Sequence, residues 1–209
     1  MLSGRHQFIE EIGEIVKEVA IENNYSDIMI YTCISQACIE SGYGNSELMR
    51  KANALFGIKA TKSWKGKVFN SKTKECYDGI NLTTISSCFR AYNSIKESVE
   101  DYFNLLKNKR YNKCFEAKSV DEAITIIKNG GYATSPTYID SVIKIYNMDK
   151  EFINTFSKDF NYEEYVEDEI NYYELAKDVI KGKYGNGETR KMLLGKHYYR
   201  VQSIVNNIY

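Results

Sequence analysis

The chain has 209 residues, of which 43% are hydrophobic and 27% are charged. This length and composition indicate a globular protein with one main domain and a small additional unit, and they exclude a disordered chain. Basic and acidic residues balance at 28 each, so the net charge gives no reason to expect a nucleic-acid partner.

The N-terminal segment bears on the cell compartment in which the protein is made, and the cysteines bear on disulfides and metal binding. Acidic residues interrupt the apolar core that a signal peptide requires in "MLSGRHQFIEEIGEIVKEV", and no apolar run approaches the ~20 residues of a membrane span. We therefore expect a protein that is made in the cytoplasm without a signal peptide. The five cysteines are odd in number and form no CxxC pair, which argues against a disulfide framework and a zinc site. No metal or other cofactor is predicted.

Two helices open the chain. Apolar residues from Phe8 to Val19 recur at i, i+3 and i+4 spacing, which predicts an amphipathic helix. A second helix is predicted to begin near Ser26 and to run through "DIMIYTCISQACIE". Because this helix is apolar on most faces, we expect it to be central, and Gly42 and Gly44 are predicted to end it.

A β-hairpin and further helices follow. The segment from about Trp64 to Tyr92 is rich in Thr, Ser, Val, Phe and Tyr and contains the turn signal Asp78-Gly79, which predicts a short antiparallel hairpin. The words SIKE at positions 94–97 and SVDE at 119–122 each fit a capping box at the start of a helix. Ser135-Pro136 fits an N-cap followed by proline at the first helical position.

The C-terminal part has a different character. Residues 151–169 are polar and acidic and are predicted to form a linker or a solvated helix, whereas residues 170–209 indicate three short helices separated by glycines. We thus predict a mainly α fold of the α+β class. Residues 1–150 would form a helical lobe with a small β-hairpin lobe, and a C-terminal three-helix bundle would follow the linker.

Glu40 stands out because it ends an apolar run just before the glycines. If the second helix ends at Gly42, unpaired backbone carbonyls place partial negative charge beside the Glu40 carboxyl group. Burial beside Ile39 and Tyr43 would act in the same direction, and both effects raise the pKa of a carboxyl group. A carboxylic acid that stays protonated near neutral pH suits glycosidic-bond cleavage, which requires protonation of the departing sugar oxygen. The alternative is a glutamate that extends into solvent at a helix end.

Five sequence motifs occur along the chain in this order: "QACIESGYGNSEL", "NALFGIKA", "FRAYNSIKESVEDYFNLL", "RY" and "YATSPTY". Together they resemble glycoside hydrolase family 73, the peptidoglycan-cleaving endo-β-N-acetylglucosaminidases of the lysozyme-like superfamily. The resemblance covers roughly Phe8 to Asn147. It implies a mainly helical lobe with a small hairpin lobe over the substrate cleft, in agreement with the hairpin predicted from the residues themselves.

The resemblance implies three catalytic residues. The glutamate of the family's "ESGxG" word is the general acid and maps onto Glu40. A second carboxylate of a hairpin "TxE" word maps onto Glu75, where it would activate a water or stabilise positive charge on the sugar ring. The alternative for Glu75 is an exposed strand residue. The "YAT" tyrosine maps onto Tyr132, which would orient the substrate N-acetyl group or the water.

Further residues are predicted to contact the substrate. Tyr138 matches the family's "PxY" tyrosine. The alternative is that Tyr138 only packs the helix to which it belongs. Asn53 and Phe56 match "NxLFGIK", where the family places a wall of the cleft, and Phe56 is equally suited to the core. The single tryptophan, Trp64, is able to stack on a sugar face, with a structural role as the alternative.

The C-terminal unit resembles a short wall-binding repeat found in some phage lysozymes. The words "GKYGNGxxR", "LG" and "YxxVQxxVN" carry this likeness, which implies binding to the muropeptide part of peptidoglycan. Tyr184, Asn186, Gly187 and Arg190 fall in the recurring loop, where Arg190 would pair with a peptide carboxylate. The alternative is that Asn186 and the glycines turn the chain and Arg190 caps a neighbouring helix. With a single repeat, affinity would depend on avidity or on a homodimer formed through this module.

These observations predict an endolysin of phage or prophage origin that is released through a holin lesion. It would hydrolyse the β-1,4 bond between N-acetylglucosamine and N-acetylmuramic acid. Two alternatives stay open at this stage: a lytic transglycosylase that acts on the same polymer, and a non-catalytic wall-binding protein that keeps the fold.

Overall fold

The computed structural model of the chain describes residues 4–76, 82–159 and 171–208. It divides into two compact units, one of which comprises Phe8–Lys158 and the other Met1–Gln7 together with Asp159–Tyr209. Within the described ranges, no helix combines the length and the hydropathy that a membrane crossing requires.

The chain up to Lys158 is mainly helical, with one two-stranded antiparallel sheet, as the sequence predicts. In chain order its elements are α1 (Gly4–Glu22), α2 (Asp27–Ser41), α3 (Glu47–Ala52), β1 (Lys67–Cys76), β2 (Leu82–Ala91), α4 (Ile95–Leu106), a 3₁₀ turn (Asn112–Glu116), α5 (Val120–Asn129), α6 (Tyr138–Met148) and α7 (Lys150–Asn154).

Helix α2 is the central element of this unit. Most of its residues are buried, and α5 and α6 pack against it. Its apolar faces bury hydrophobic area on several sides, which stabilises the unit. Gly42 ends the helix in a left-handed conformation with φ of 56°, and its N–H group donates to the carbonyls of Cys38 and Ile39. A residue with a Cβ adopts this conformation only at a cost, so glycine suits the helix end. The predicted end of this helix is confirmed.

The predicted hairpin is also present. Strands β1 and β2 pair in antiparallel register from Lys67 opposite Ala91 to Cys76 opposite Leu82. The predicted turn at Asp78-Gly79 lies outside the described residues. Near its base, the hairpin joins the segment that precedes it, because the N–H of Arg90 donates to the carbonyl of Ile58 at 2.8 Å.

The helix starts are confirmed in two cases and differ in a third. The hydroxyl groups of Ser94 and Ser119 cap α4 and α5 by accepting the N–H groups three residues later. Helix α6 begins at Tyr138 instead of at Pro136. The Tyr138 N–H bonds to the carbonyl of Ser135, so Pro136 takes the second position of a turn, where its fixed φ is equally suitable.

One short helix, α3, was not predicted, and a second, α7, lies where a linker or a solvated helix is predicted. Ser46 caps α3 by accepting the N–H of Met49 at 3.1 Å. Helix α7 lies at the start of the segment that we predict as a linker or a solvated helix, but Ile153 and Phe156 there are buried in the core of the first unit. Their burial shows that the polar composition of residues 151–169 conceals two apolar side chains that extend the core.

The second unit contains the three predicted C-terminal helices: α8 (Tyr172–Ile180), α9 (Gly187–Leu194) and α10 (Tyr198–Ile208), with a 3₁₀ turn (Gly195–His197) between the last two. Asn171 caps α8 through its side-chain oxygen. The core of this unit is formed by buried residues from all three helices: Tyr172, Ala176, Val179, Leu194, Tyr198 and Val201.

Candidate active site

Glu40 lies in the last turn of α2, one residue before the helix ends. Its side chain is half-buried. Burial raises the pKa of its carboxyl group above the ordinary value, because an ionised carboxylate loses hydration there. The unpaired carbonyl groups at the end of a helix act in the same direction. The structure therefore places Glu40 in the surroundings that a proton donor requires.

Tyr138 fixes one oxygen of this carboxyl group. It is the first residue of α6, it is buried, and its hydroxyl group donates to Glu40 Oε1 at 2.6 Å. This hydrogen bond favours the ionised carboxylate and so opposes part of the effect of burial. Burial, followed by the charge of Glu40, raises the pKa of Tyr138, so the phenol keeps the proton that it donates.

Two further polar side chains are connected to Tyr138 by hydrogen bonds, and the sequence did not predict either of them. Gln36 Nε2 donates to the Tyr138 hydroxyl oxygen at 2.8 Å. The Tyr102 hydroxyl group donates to Gln36 Oε1 at 2.5 Å. The only sequence signal is that Gln36 is a polar residue one helical turn before Glu40, in a helix that is mostly apolar.

Tyr132 joins the same group of aromatic residues. It lies after α5, and its ring centroid is 6.1 Å from that of Tyr138 and 6.4 Å from that of Tyr102. Its hydroxyl group donates to the backbone carbonyl of Phe56 at 3.2 Å. Burial, and next the charge of Glu40, raise the pKa of Tyr132. The structure thus places Tyr132 beside Tyr138, which bonds to Glu40, and a catalytic role of Tyr132 stays a prediction.

Phe56 and Asn53 support this region from within the fold. Phe56 is buried, and its ring stacks on Tyr102 with centroids 4.1 Å apart. Asn53 ends α3 in a left-handed conformation, and its side-chain amide donates to the carbonyl of Tyr92 at 3.2 Å. These contacts are structural, and a direct contact of either residue with the substrate stays a prediction.

Trp64 is held at the base of the hairpin. Its indole N–H donates to the carbonyl of Lys67 at 2.8 Å, and the Arg90 guanidinium group lies over the ring at 4.7 Å from the centroid. Its ring and that of Tyr92 form a T-shaped pair with centroids 6.0 Å apart. Since a cation covers one ring face, stacking on a sugar from that face would require Arg90 to move. The contacts favour the structural alternative, and sugar stacking stays a prediction.

The base of the hairpin also contains a half-buried ion pair. Arg90 Nη1 lies 2.9 Å from both carboxylate oxygens of Asp101, which belongs to α4. The Tyr92 hydroxyl group donates to Asp101 Oδ2 at 2.7 Å. Because Arg90 and Tyr92 lie in and directly after β2, these bonds attach the hairpin to the helical part of the unit.

Glu75 is placed by its backbone alone. It lies on β1 opposite Thr83, one residue before the strand ends. Its side chain lies outside the described part of the structure, and its catalytic role stays a prediction. Among the described residues, no group of His, Cys, Asp and Glu side chains is arranged to hold a metal ion.

The predicted wall-binding residues surround one loop of the second unit. Arg190 donates through Nε and Nη2 to the carbonyl of Gly185, at 3.0 and 2.8 Å, and through Nη1 to Gln202 Oε1 at 2.8 Å. Nη2 also donates to Asn186 Oδ1 at 3.1 Å. Gly187 begins α9 with φ of 55°, and Tyr184 packs against the core. Arg190 thus uses most of its donors to order the loop itself.

Comparison with known proteins gives two family matches. Residues 16–151 match the glucosaminidase family, described as mannosyl-glycoprotein endo-beta-N-acetylglucosaminidase. Residues 173–209 match the CW_7 repeat.

Curated relatives match in the same region. The exo-glucosaminidase LytG of Bacillus subtilis is 37% identical over 126 residues, which cover 56% of this chain and 44% of LytG. The peptidoglycan hydrolase FlgJ of Salmonella typhimurium is 30% identical over 146 residues, which cover 68% of this chain and 46% of FlgJ. The chain therefore spans less than half the length of these relatives.

Solved structures match more completely. The catalytic domain of the autolysin Auto from Listeria monocytogenes has a TM-score of 0.63 at 27% identity, over 75% of this chain and 89% of that domain. A mutant peptidoglycan hydrolase from Sphingomonas sp. A1 has a TM-score of 0.63 at 27% identity, over 71% of this chain and 97% of that chain.

Proposed function

The chain belongs to the glucosaminidase family, and on this basis we propose that it hydrolyses the β-1,4 bond between N-acetylglucosamine and N-acetylmuramic acid in bacterial peptidoglycan. Its similarity to proteins named peptidoglycan hydrolases supports this choice of substrate. The observation that carries the proposal is the pairing of Glu40 with Tyr138. Burial raises the pKa of the carboxyl group, and a tyrosine hydroxyl group fixes one of its two oxygens.

In the proposed reaction, Glu40 protonates the glycosidic oxygen as the bond to the anomeric carbon breaks. Because burial raises the pKa of Glu40, a larger fraction of this carboxyl group carries a proton at a given pH than in an exposed glutamate. After the transfer, Glu40 is a carboxylate, and the Tyr138 hydroxyl group stabilises that charge through a charge-assisted hydrogen bond.

Glu75 is the proposed second carboxylate. It would activate the attacking water or stabilise the positive charge that develops on the sugar ring. Tyr132 would orient the water or the N-acetyl group of the substrate. Because its hydroxyl proton is already donated to the Phe56 carbonyl, Tyr132 would act through its oxygen as an acceptor.

The bond that is cleaved tests this function. Purified cell walls are digested, and the soluble fragments are reduced with borohydride and examined by mass spectrometry. Hydrolysis of the proposed bond should give products that carry N-acetylglucosamine at the new reducing end, because a water supplies the hydroxyl group. Fragments from walls incubated without enzyme serve as the control.

Two other outcomes would contradict the proposal. A lytic transglycosylase uses a hydroxyl group of muramic acid as the nucleophile and leaves a non-reducible 1,6-anhydro ring, lighter by one water. Anhydro-muropeptides as the main product would therefore replace hydrolysis with that reaction. The absence of any new glycan end would leave only the non-catalytic wall-binding alternative.

The second unit is proposed to bind the cell wall, on the basis of its match to the CW_7 repeat. Arg190→Met is expected to reduce the fraction of protein that sediments with intact walls by about tenfold, because the Gly185 carbonyl and the Asn186 side chain lose the donors that order the loop. Cleavage of small soluble glycans should change little, since tethering raises the local concentration without altering the chemistry.

A matched control is available in the same unit. Lys181 is exposed, and its ammonium group is 3.9 Å from its acidic neighbour Asp178. Lys181→Met removes the same charge without touching the loop, so it should sediment like the wild type. Equal losses in both variants would mean that net charge, and not the loop, determines wall binding.

We further propose that the protein is a phage or prophage endolysin that is released through a holin lesion. The combination of a glucosaminidase domain with a CW_7 repeat in one chain supports a role in wall degradation. A single repeat gives one attachment point, and a homodimer through this module would raise the avidity for the polymer.

A further inference from the structure

The hydrogen bonds behind Glu40 form a chain with a defined direction. Tyr102 donates its hydroxyl proton to Gln36 Oε1, and Gln36 Nε2 donates to the oxygen of Tyr138 at 2.8 Å. An amide NH₂ group can only donate, so the Tyr138 oxygen is the acceptor in this contact. The hydroxyl proton of Tyr138 is then directed to Glu40 Oε1, at 2.6 Å.

We propose that Gln36 and Tyr102 are positioning residues that keep the acid proton of Glu40 on Oε2. Since Oε1 accepts the hydroxyl proton of Tyr138, a protonated Glu40 carries its own proton on the other oxygen. Among the hydrogen bonds of the described residues, none ends on Oε2, so that proton has no competing acceptor in the part of the chain that the structure describes. The inference rests on the proposed function in so far as it assumes that Glu40 is the general acid.

The burial of these hydrogen-bonded side chains indicates that their contacts are not incidental. Gln36 and Tyr102 are completely buried, and Tyr138 is nearly so. Polar groups in such a place destabilise the fold unless they are all paired, and packing alone would be satisfied by an apolar side chain. In surroundings of low polarity, each hydrogen bond also strengthens the next, so the Gln36 amide makes Tyr138 a better donor to Glu40.

The orientation of the Gln36 amide determines the outcome. If the amide were turned over, Gln36 Oε1 would accept the proton of Tyr138. A protonated Glu40 would then donate to Tyr138 and not to the glycosidic oxygen. With a turned amide, the Tyr102 hydroxyl oxygen could accept from Nε2 only by giving up its donation to Oε1, and this donation is the contribution that we assign to Tyr102.

The pH dependence of the reaction can report this effect. Among the described residues, the titratable groups that interact with Glu40 are Tyr138 from α6, Tyr132 from the segment before α6 and Tyr102 from α4. Burial raises the pKa of each of these phenols, so all three stay neutral where a carboxyl group titrates. The basic limb of the pH profile of kcat/KM, which reports the loss of the essential acid, then follows Glu40.

The test compares Gln36→Met and Tyr102→Phe with the wild type on soluble peptidoglycan fragments. Both substitutions weaken the donation from Tyr138 that stabilises the ionised Glu40. We therefore expect the basic limb of kcat/KM to move upward by about 0.5 pH unit in Gln36→Met and by less in Tyr102→Phe. At the optimum, kcat/KM should fall by about tenfold in Gln36→Met, because Tyr138 loses the partner that orients it.

Thr32→Val provides the matched control. Thr32 is buried one turn earlier on α2, and its hydroxyl group donates to the carbonyl of Ile28 at 2.7 Å, outside the chain that leads to Glu40. This variant should keep the basic limb of the wild type. A basic limb that stays in place in both network variants, whatever their activity, would overturn the proposal. If Gln36→Met does not fold, Tyr102→Phe decides the question, since it removes a single oxygen.

A second measurement does not require turnover. ¹³C NMR titration of the Glu40 carboxyl group should show a higher pKa in Gln36→Met than in the wild type. If the wild type cleaves no glycan but this difference is present, the proposed function fails and the positioning role stands. If the wild type cleaves glycan and the titration is unchanged, the positioning role alone is refuted.

Discussion

Glu40→Gln is expected to lower the rate of glycan cleavage by about 10²–10⁴-fold, the usual effect of removing a general acid. Glutamine keeps the shape of the side chain and can still accept the hydrogen bond from Tyr138, but it has no acid proton for the leaving sugar. In this variant, the rate at which purified walls lose turbidity and the rate at which reducing ends are released should decrease together. Wild-type turnover would remove Glu40 from the mechanism.

Stability measurements can separate this loss from misfolding. Because burial raises the pKa of Glu40 in the folded protein, ionisation costs more there than in the unfolded chain. This cost is absent below the unfolded pKa, grows as the pH rises, and is complete above the folded pKa. Glutamine has no such cost, so at neutral pH Glu40→Gln should melt at the same temperature as the wild type or higher. A lower melting temperature at every pH would indicate lost packing instead.

Asp101→Ala is expected to have the largest effect on stability, with a loss of about 2–3 kcal/mol in the free energy of unfolding measured with urea. The side chains of Arg90 and Asp101 are only 16% and 17% exposed, so the substitution leaves a poorly hydrated guanidinium group without its counter-charge. Tyr92 also loses its acceptor. Hydrogen exchange should show that β1 and β2 lose protection first, because these bonds attach the hairpin to α4.

Two controls define the cause of that loss. In the double variant Arg90→Met/Asp101→Leu both charges are gone, so much of the stability should return. Lys96 forms comparable ion pairs with Glu18 and Glu22 on the exposed surface, and Lys96→Met should cost far less because water screens such pairs. If the double variant is no more stable than Asp101→Ala, the unpaired charge is not the reason.

The features predicted correctly from the sequence depend on neighbours in the chain. Serine caps at Ser94 and Ser119, and a glycine end at Gly42, act within a few residues of the helix that they delimit. The position of Glu40 at a helix end follows from the same local rules. The resemblance to the glucosaminidases is confirmed by the family match and supplied the region that contains Glu40, Tyr132 and Tyr138.

The hydrogen bonds that connect Glu40 to Tyr138, Gln36 and Tyr102 could not be predicted from local patterns. Gln36 lies 102 positions from Tyr138 and 66 positions from Tyr102 in the chain, and no local pattern indicates which distant phenols will meet one buried amide. The start of α6 was misplaced because Ser135-Pro136 suits a turn as well as a helix start. Similarly, the cation over Trp64 is visible only once β2 has been placed.

The position of Trp64 has a spectroscopic consequence. It is the only tryptophan in a chain with 18 tyrosines, and it is held at the base of the hairpin by Arg90 and by the carbonyl of Lys67. Because indole emission responds to nearby charge and to water, selective excitation of the indole reports one defined place in the first unit. Fluorescence can therefore follow loosening of the hairpin base in real time and without a label, while α8, α9 and α10 stay optically silent.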